Sequence, residues 1–147
     1  MRFKPPMDAD EAEKRTLFVT KRIGSFIHGT HTKRATADYY SRIRAALGEF
    51  VKGEPLYDDE AVLKKLVPHS HNIWEFRITF QPQARIVGAV AKTDVFVAIE
   101  PEFRDMLEKK GFDEIIGKSL AWWQEWLDPK PRDPCHPLTF CFCNVKD

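Results

Sequence analysis

Three apolar stretches in close succession, residues 73–80, 85–91 and 95–99, constrain this chain more than any other feature. Each is short, rich in β-branched and aromatic residues, and bounded by turn-forming residues, which predicts strands. The linkers, Gln81-Pro82-Gln83 and Lys92-Thr93-Asp94, are too short for a parallel crossover, so the strands read as an antiparallel meander. Side chains alternate along a strand. Trp74, Phe76, Ile78 and Phe80 therefore share one strongly apolar face, while Ile73, Glu75, Arg77 and Thr79 share the other.

The first strand thus carries a guanidinium, Arg77, at its centre, and a second, Arg85, opens the next strand. Loop parity decides whether they meet. With a three-residue loop at 81–83, Phe80 pairs with Ala84 and Thr79 with Arg85, so Arg77 lies opposite Val87 and diagonal to Arg85. A two- or four-residue loop would send Arg85 to the opposite face. Two converging arginines repel each other and call for an anion between them, either Glu75 or a bound phosphate.

The remaining elements are predicted by periodicity and capping. Residues 16–27 hold a first strand, or a strand running into a turn at Gly24. In TADYYSRIRAALGEFV, Tyr39 or Tyr40, Ile43, Leu47, Phe50 and Val51 recur at helical spacing behind a Thr36 cap, and Gly53 ends the helix. Asp58 can cap a second, shorter helix, DEAVLKKL, stopped by Pro68. A helical turn is expected in PEFRDMLEKKG. A closing helix over 112–127 lines up Phe112, Ile115 or Ile116, Leu120, Trp123 and Leu127. This order predicts an α+β domain: an antiparallel meander of three to four strands with helices packed on one face. A loose leader (1–15) precedes the domain (16–128), and a proline- and cysteine-containing tail (129–147) follows it.

A chain of 147 residues, 43% hydrophobic and 31% charged, suits one soluble domain. It has no run of roughly 20 apolar residues to cross a membrane and no apolar core near its N-terminus to act as a secretory signal. Three cysteines, Cys135, Cys141 and Cys143, make an odd number and cluster near the C-terminus, which fits a reducing cytoplasm better than a disulfide framework. With His136 they offer soft metal ligands, but the spacing suits thiols buried on an edge strand better than a zinc site. Net charge is +1, yet residues 1–53 carry 11 Lys/Arg against 6 Asp/Glu. Within that third, Lys21, Arg22, Lys33 and Arg34 form the best candidate patch for RNA backbone, with a solvated loop as the plainer reading. His69 and His71 stand just before the first strand of the meander as candidate proton carriers or solvent-facing loop residues. Trp123 should point inward, leaving Trp122 and Trp126 partly exposed for a partner protein.

Taken together, NIWEFRI, ARIVGAV and VFVAI, preceded by helices and followed by FRDMLEKKG and a closing helix, resemble the RelE/ParE/HigB superfamily of bacterial type II toxins, particularly its phage-related HigB-like branch. The likeness covers residues 36–127. It implies a RelE-like fold and a cytoplasmic toxin, held by a cognate antitoxin protein, that cleaves mRNA, in the family usually on the ribosome. It implies no metal and no cofactor. Residue by residue, Arg77 and Arg85 match the strand arginines that hold phosphate charge, and Lys109 and Lys110 match a basic pair that contacts RNA or assists the reaction. His71 would then carry a proton. The near-neutral charge, and the lack of a His or Tyr between residues 100 and 111, favour the alternative of a non-catalytic relative that binds a partner protein.

Overall fold

The computed structural model describes residues 1–30, 34–57, 62–127 and 145–146. In chain order the elements are β1 (Thr16–Val19), α1 (Lys21–Ile27), α2 (Ala37–Lys52), β2 (Leu56–Tyr57), β3 (Leu63–Lys65), β4 (Trp74–Ile78), β5 (Ala84–Lys92), β6 (Val95–Phe103), α3 (Arg104–Lys110), α4 (Asp113–Trp126) and β7 (Val145–Lys146). A single 3₁₀ turn, His69–His71, links β3 to β4.

The protein is α+β, built on a five-stranded sheet in the order β1-β6-β5-β4-β3. Strands β3 to β6 pair antiparallel with one another. The sheet is nevertheless mixed, because β1 pairs parallel to β6, Thr16 opposite Val95 through Val19 opposite Ala98. The sheet is therefore larger than a three- to four-strand antiparallel meander. A separate two-residue ladder joins β2 to β7.

Three local expectations change. Residues around Gly24 are helical: Thr20 caps α1 by accepting from the Ile23 N–H at 3.3 Å, and donates its own hydroxyl to Ile99 O at 2.7 Å. The second expected helix ends instead in β3, paired with β4. Its Leu-Lys-Lys-Leu pattern suits either periodicity, and an open strand edge on β4 decides the matter. The leader, finally, docks on the domain. Phe3 N–H donates to Leu17 O at 2.8 Å, and Val19 N–H to Met1 O at 2.7 Å, which covers the outer edge of β1. Arg15 is buried, with Nη1 donating to Phe50 O and Glu54 O at 3.0 and 2.9 Å.

Helix α2 forms as its sequence predicts. The Thr36 hydroxyl accepts from the Tyr39 N–H at 3.3 Å, and Gly53 closes the helix at φ 83°. Its stripe of Tyr39, Tyr40, Ile43, Leu47 and Phe50 packs with α1 against Trp74, Phe76, Ile78, Ile86 and Phe96 of the sheet. The opposite face is also covered. Val87, Ala89, Val97 and Ile99 meet Leu107 of α3 and Ile115, Ile116 and Trp123 of α4. Helices thus lie on both faces rather than one, because α4 carries its own apolar stripe and must bury it. No helix among the described residues is long and apolar enough to cross a membrane.

Candidate phosphate-binding site

The β4–β5 register sets Arg77 directly opposite Arg85, with Ile78 opposite Ala84. Five residues, 79–83, connect the strands rather than three. Five is still odd, so the two arginines share a face as loop parity requires. Glu75, two residues before Arg77, points to the same side. Its Oε1 accepts from Arg77 Nε at 2.8 Å, and its Oε2 lies 3.4 Å from Arg85 Nε. Arg85 also donates from Nη1 to Ala84 O at 2.9 Å.

The two guanidiniums are not equivalent. Arg85 and Glu75 are 3% and 2% exposed, whereas the Arg77 side chain retains 27% of its surface. Burial pushes the Arg85 pKa down from its ordinary value, and the Glu75 carboxylate opposes that shift. A buried charge pair of this kind is costly to break and contributes little beyond its own desolvation. Glu75 Oε2 accepts no hydrogen bond despite its burial, so the carboxylate keeps an unused lone pair beside two cations. Arg85 is therefore a buried support for Glu75, and Arg77 is the accessible cation.

A cavity of about 310 Å³ opens over this triad. Lys64 and Lys65 of β3, Arg104 and Glu108 of α3, and the apolar Leu66, Val67, Leu107 and Phe112 complete its lining. Lys64 stands opposite Glu75 and shares its face, whereas Lys65 stands opposite Trp74 and turns to the other. Four cations (Lys64, Arg77, Arg85, Arg104) thus face two carboxylates (Glu75, Glu108), a surplus of two in a chain whose whole net charge is +1. Such a concentration in a concave, partly apolar site attracts a polyvalent anion. Arg104 is held from three sides: Nε donates to Glu108 at 3.0 Å, Nη1 to Gln83 Oε1 at 3.4 Å, and its N–H to Gln83 O at 2.9 Å.

Known proteins supply no guide to this site. The chain matches no family model, no curated protein and no solved structure.

Several candidate residues lie elsewhere. Lys110 sits 3.7 Å from Glu102 and lines a separate small cleft with Arg22, whose Nε contacts Glu100 at 2.9 Å. Lys109 is exposed on α3 and is not among the described residues lining the triad cavity. The spacing of an α-helix explains this: Arg104 and Glu108 share a face at i, i+4, while Lys109 and Lys110 turn away from it. His71 is exposed in the 3₁₀ turn and does not line the cavity either. Lys21 lines an apolar groove, Arg34 pairs with Asp105, and Lys33 lies outside the described residues. The Cys135, Cys141 and Cys143 tail also lies outside them, and among the described residues no group of three His, Cys, Asp or Glu could hold a metal ion.

Sequence reasoning missed Lys64 and Arg104. The lysine needed β3 to be read as a strand. Arg104 needed the contact between the start of α3 and the turn at Gln83, which no local pattern signals.

A second concavity, the apolar groove of about 900 Å³, lies between β1, α1 and the last turn of α4. Phe18, Val97, Trp122, Trp126 and Leu127 line it, and Trp126 and Leu127 remain 64% and 52% exposed. Trp123, one turn back, is buried.

Proposed function

We propose that the triad cavity grips the phosphodiester backbone of single-stranded RNA, and that the chain is a cytoplasmic, metal-independent mRNA endoribonuclease toxin of the RelE/ParE/HigB kind, with a RelE-like fold, restrained by a cognate antitoxin. The directly opposed Arg77–Arg85 pair with Glu75 between its ends carries this reading. Cleavage requires a ribose 2′-oxygen to attack the adjacent phosphorus, forming a 2′,3′-cyclic phosphate as the bond to the 5′-oxygen breaks. Arg77 and Arg104 stabilise the crowded, doubly charged phosphate. A phosphate that draws Arg77 away frees Glu75 to accept the 2′-hydroxyl proton. Lys64, opposite Glu75 at the mouth of the cavity, takes the place of Lys109, Lys110 and His71 as donor to the leaving 5′-oxygen.

Expression of the chain alone should arrest growth and leave mRNA fragments ending in 2′,3′-cyclic phosphate. Arg77→Ala should lower cleavage by about 100-fold or more, the usual cost of removing a preorganised charge-stabilising donor. Folded wild-type protein that leaves both growth and mRNA intact would reject the nuclease.

A second reading is favoured by the burial of Glu75 and Arg85 and by the apolar groove. Here the chain is a non-catalytic relative whose exposed Trp126 and Leu127 dock a partner protein. Growth arrest with intact mRNA, together with a stable target complex lost in Trp126→Ser, would select it.

A further inference from the structure

Beyond Arg104 the charged surface continues. A second cavity, about 430 Å³, shares Arg104 and Glu108 with the first and is otherwise lined by Arg34, Gln81, Pro82, Gln83 and Asp105. The Arg104–Glu108 pair between them is exposed on both sides, so separating it costs little in water. Arg34 is presented as a flat platform. Its guanidinium carbon lies 4.2 Å from the centroid of the Phe103 ring, which backs one side, and its ion pair with Asp105 holds the fork in place. The turn opposite is fixed too. The Tyr39 hydroxyl donates to Pro82 O at 2.5 Å, and burial raises that phenol to a pKa of about 12, so it remains a donor at neutral pH.

We infer that one RNA strand spans both cavities, its phosphate at Arg77 and Arg104 and the neighbouring base stacked on Arg34 with its polar edge toward the amides of Gln81 and Gln83. This rests on the phosphate-site reading and adds a nucleotide subsite to it. Guanidinium planes stack on bases as aromatic rings do, and amide side chains offer both donors and acceptors to a base edge. The site is built for a strand rather than a lone phosphate. Affinity should therefore climb steeply from a mononucleotide to an oligonucleotide.

Fluorescence anisotropy and calorimetry on the full chain test this with inorganic phosphate, uridine monophosphate and a single-stranded tetranucleotide blocked at its 2′-positions against cleavage. Arg34→Lys keeps the charge but loses the planar platform. It should weaken the tetranucleotide by about tenfold, as loss of one stacked base does, and leave monophosphate binding unchanged. Gln81→Ala/Gln83→Ala should give the same selective loss and serves if the arginine variant folds poorly. Lys118→Gln, which removes an exposed cation of α4 that lines neither cavity, should change neither.

Tetranucleotide affinity unaltered by both variants, or a loss shared equally with monophosphate, would overturn the subsite. Arg77→Gln separates the two failures. If it weakens every ligand while the Arg34 and glutamine variants weaken none, the phosphate site stands and the subsite falls. If Arg77→Gln leaves all binding intact, or the wild-type chain binds none of the ligands, both fall.

Discussion

The two faces of the sheet solve the same burial problem differently. Against α1 and α2, the sheet presents an apolar surface from Trp74 through Phe96 that meets a single continuous core. Against α3 and α4, the apolar part is smaller, centred on Val87, Ala89, Val97 and Ile99. It gives way on β4 and at the start of β5 to Glu75, Arg77 and Arg85. Burial on the first face is driven by area, at roughly 25 cal/mol per Å². On the second, ordinary hydrophobic packing is interrupted by a charge cluster that offers little net stability. A protein carries such a cluster at a cost, and under the proposed function that cost is the one incurred for gripping phosphate.

The largest expected effect removes what both faces share. A Cβ on Gly88 would stand 1.9 Å from Val97 O, at the irregularity between Val87 and Gly88 in the β5–β6 pairing. Since the obstacle is backbone, Gly88→Val should abolish the cooperative unfolding transition seen by circular dichroism. A normal transition would mean that the two strands can part without loss of the fold.

Next comes the charged corner itself. Glu75→Ala strands a buried Arg85 and should cost about 3–5 kcal/mol in urea unfolding. Replacing both members, Glu75→Leu with Arg85→Met, should recover most of that loss while weakening phosphate binding. If the double variant is as unstable as the single one, the pair is structural and the contrast between the faces dissolves. The smallest effect belongs to Arg77, half-buried and paired only with Glu75 among the described contacts. Arg77→Ala should change stability by about 1 kcal/mol or less, although its effect on RNA should be the greatest of the three corner residues. A stability loss comparable to that of Glu75→Ala would show that Arg77, like Arg85, chiefly supports the fold.

Much of this arrangement is legible in local pattern. The alternation through Trp74, Glu75, Phe76, Arg77 and Ile78 assigns each side chain to its face, and an odd loop brings Arg85 to the side of Arg77 even though the loop is two residues longer than expected. Thr36 and Gly53 bracket α2, and the stripe through Ile115 and Trp123 identifies the buried side of α4. The candidate site is legible only at its centre. Lys109 and Lys110 look the part as an adjacent basic pair, but helical geometry turns them from the cavity, and Arg104, one turn earlier on the same face as Glu108, occupies it instead.

By itself, the sequence determined which residues alternate, which helices are amphipathic, and that Glu75 and Arg77 share one side of their strand, because spacing within a strand or helix is fixed by backbone geometry. Tertiary structure alone decided that Leu63–Lys65 is a strand, that the β4–β5 register brings Arg85 beside Arg77, that β1 lies parallel to β6, that α4 covers the second face, and that Lys64 and Arg104 gather around the triad. Those outcomes depend on contacts between segments distant along the chain, where an ambivalent run takes whichever form its neighbours leave unpaired.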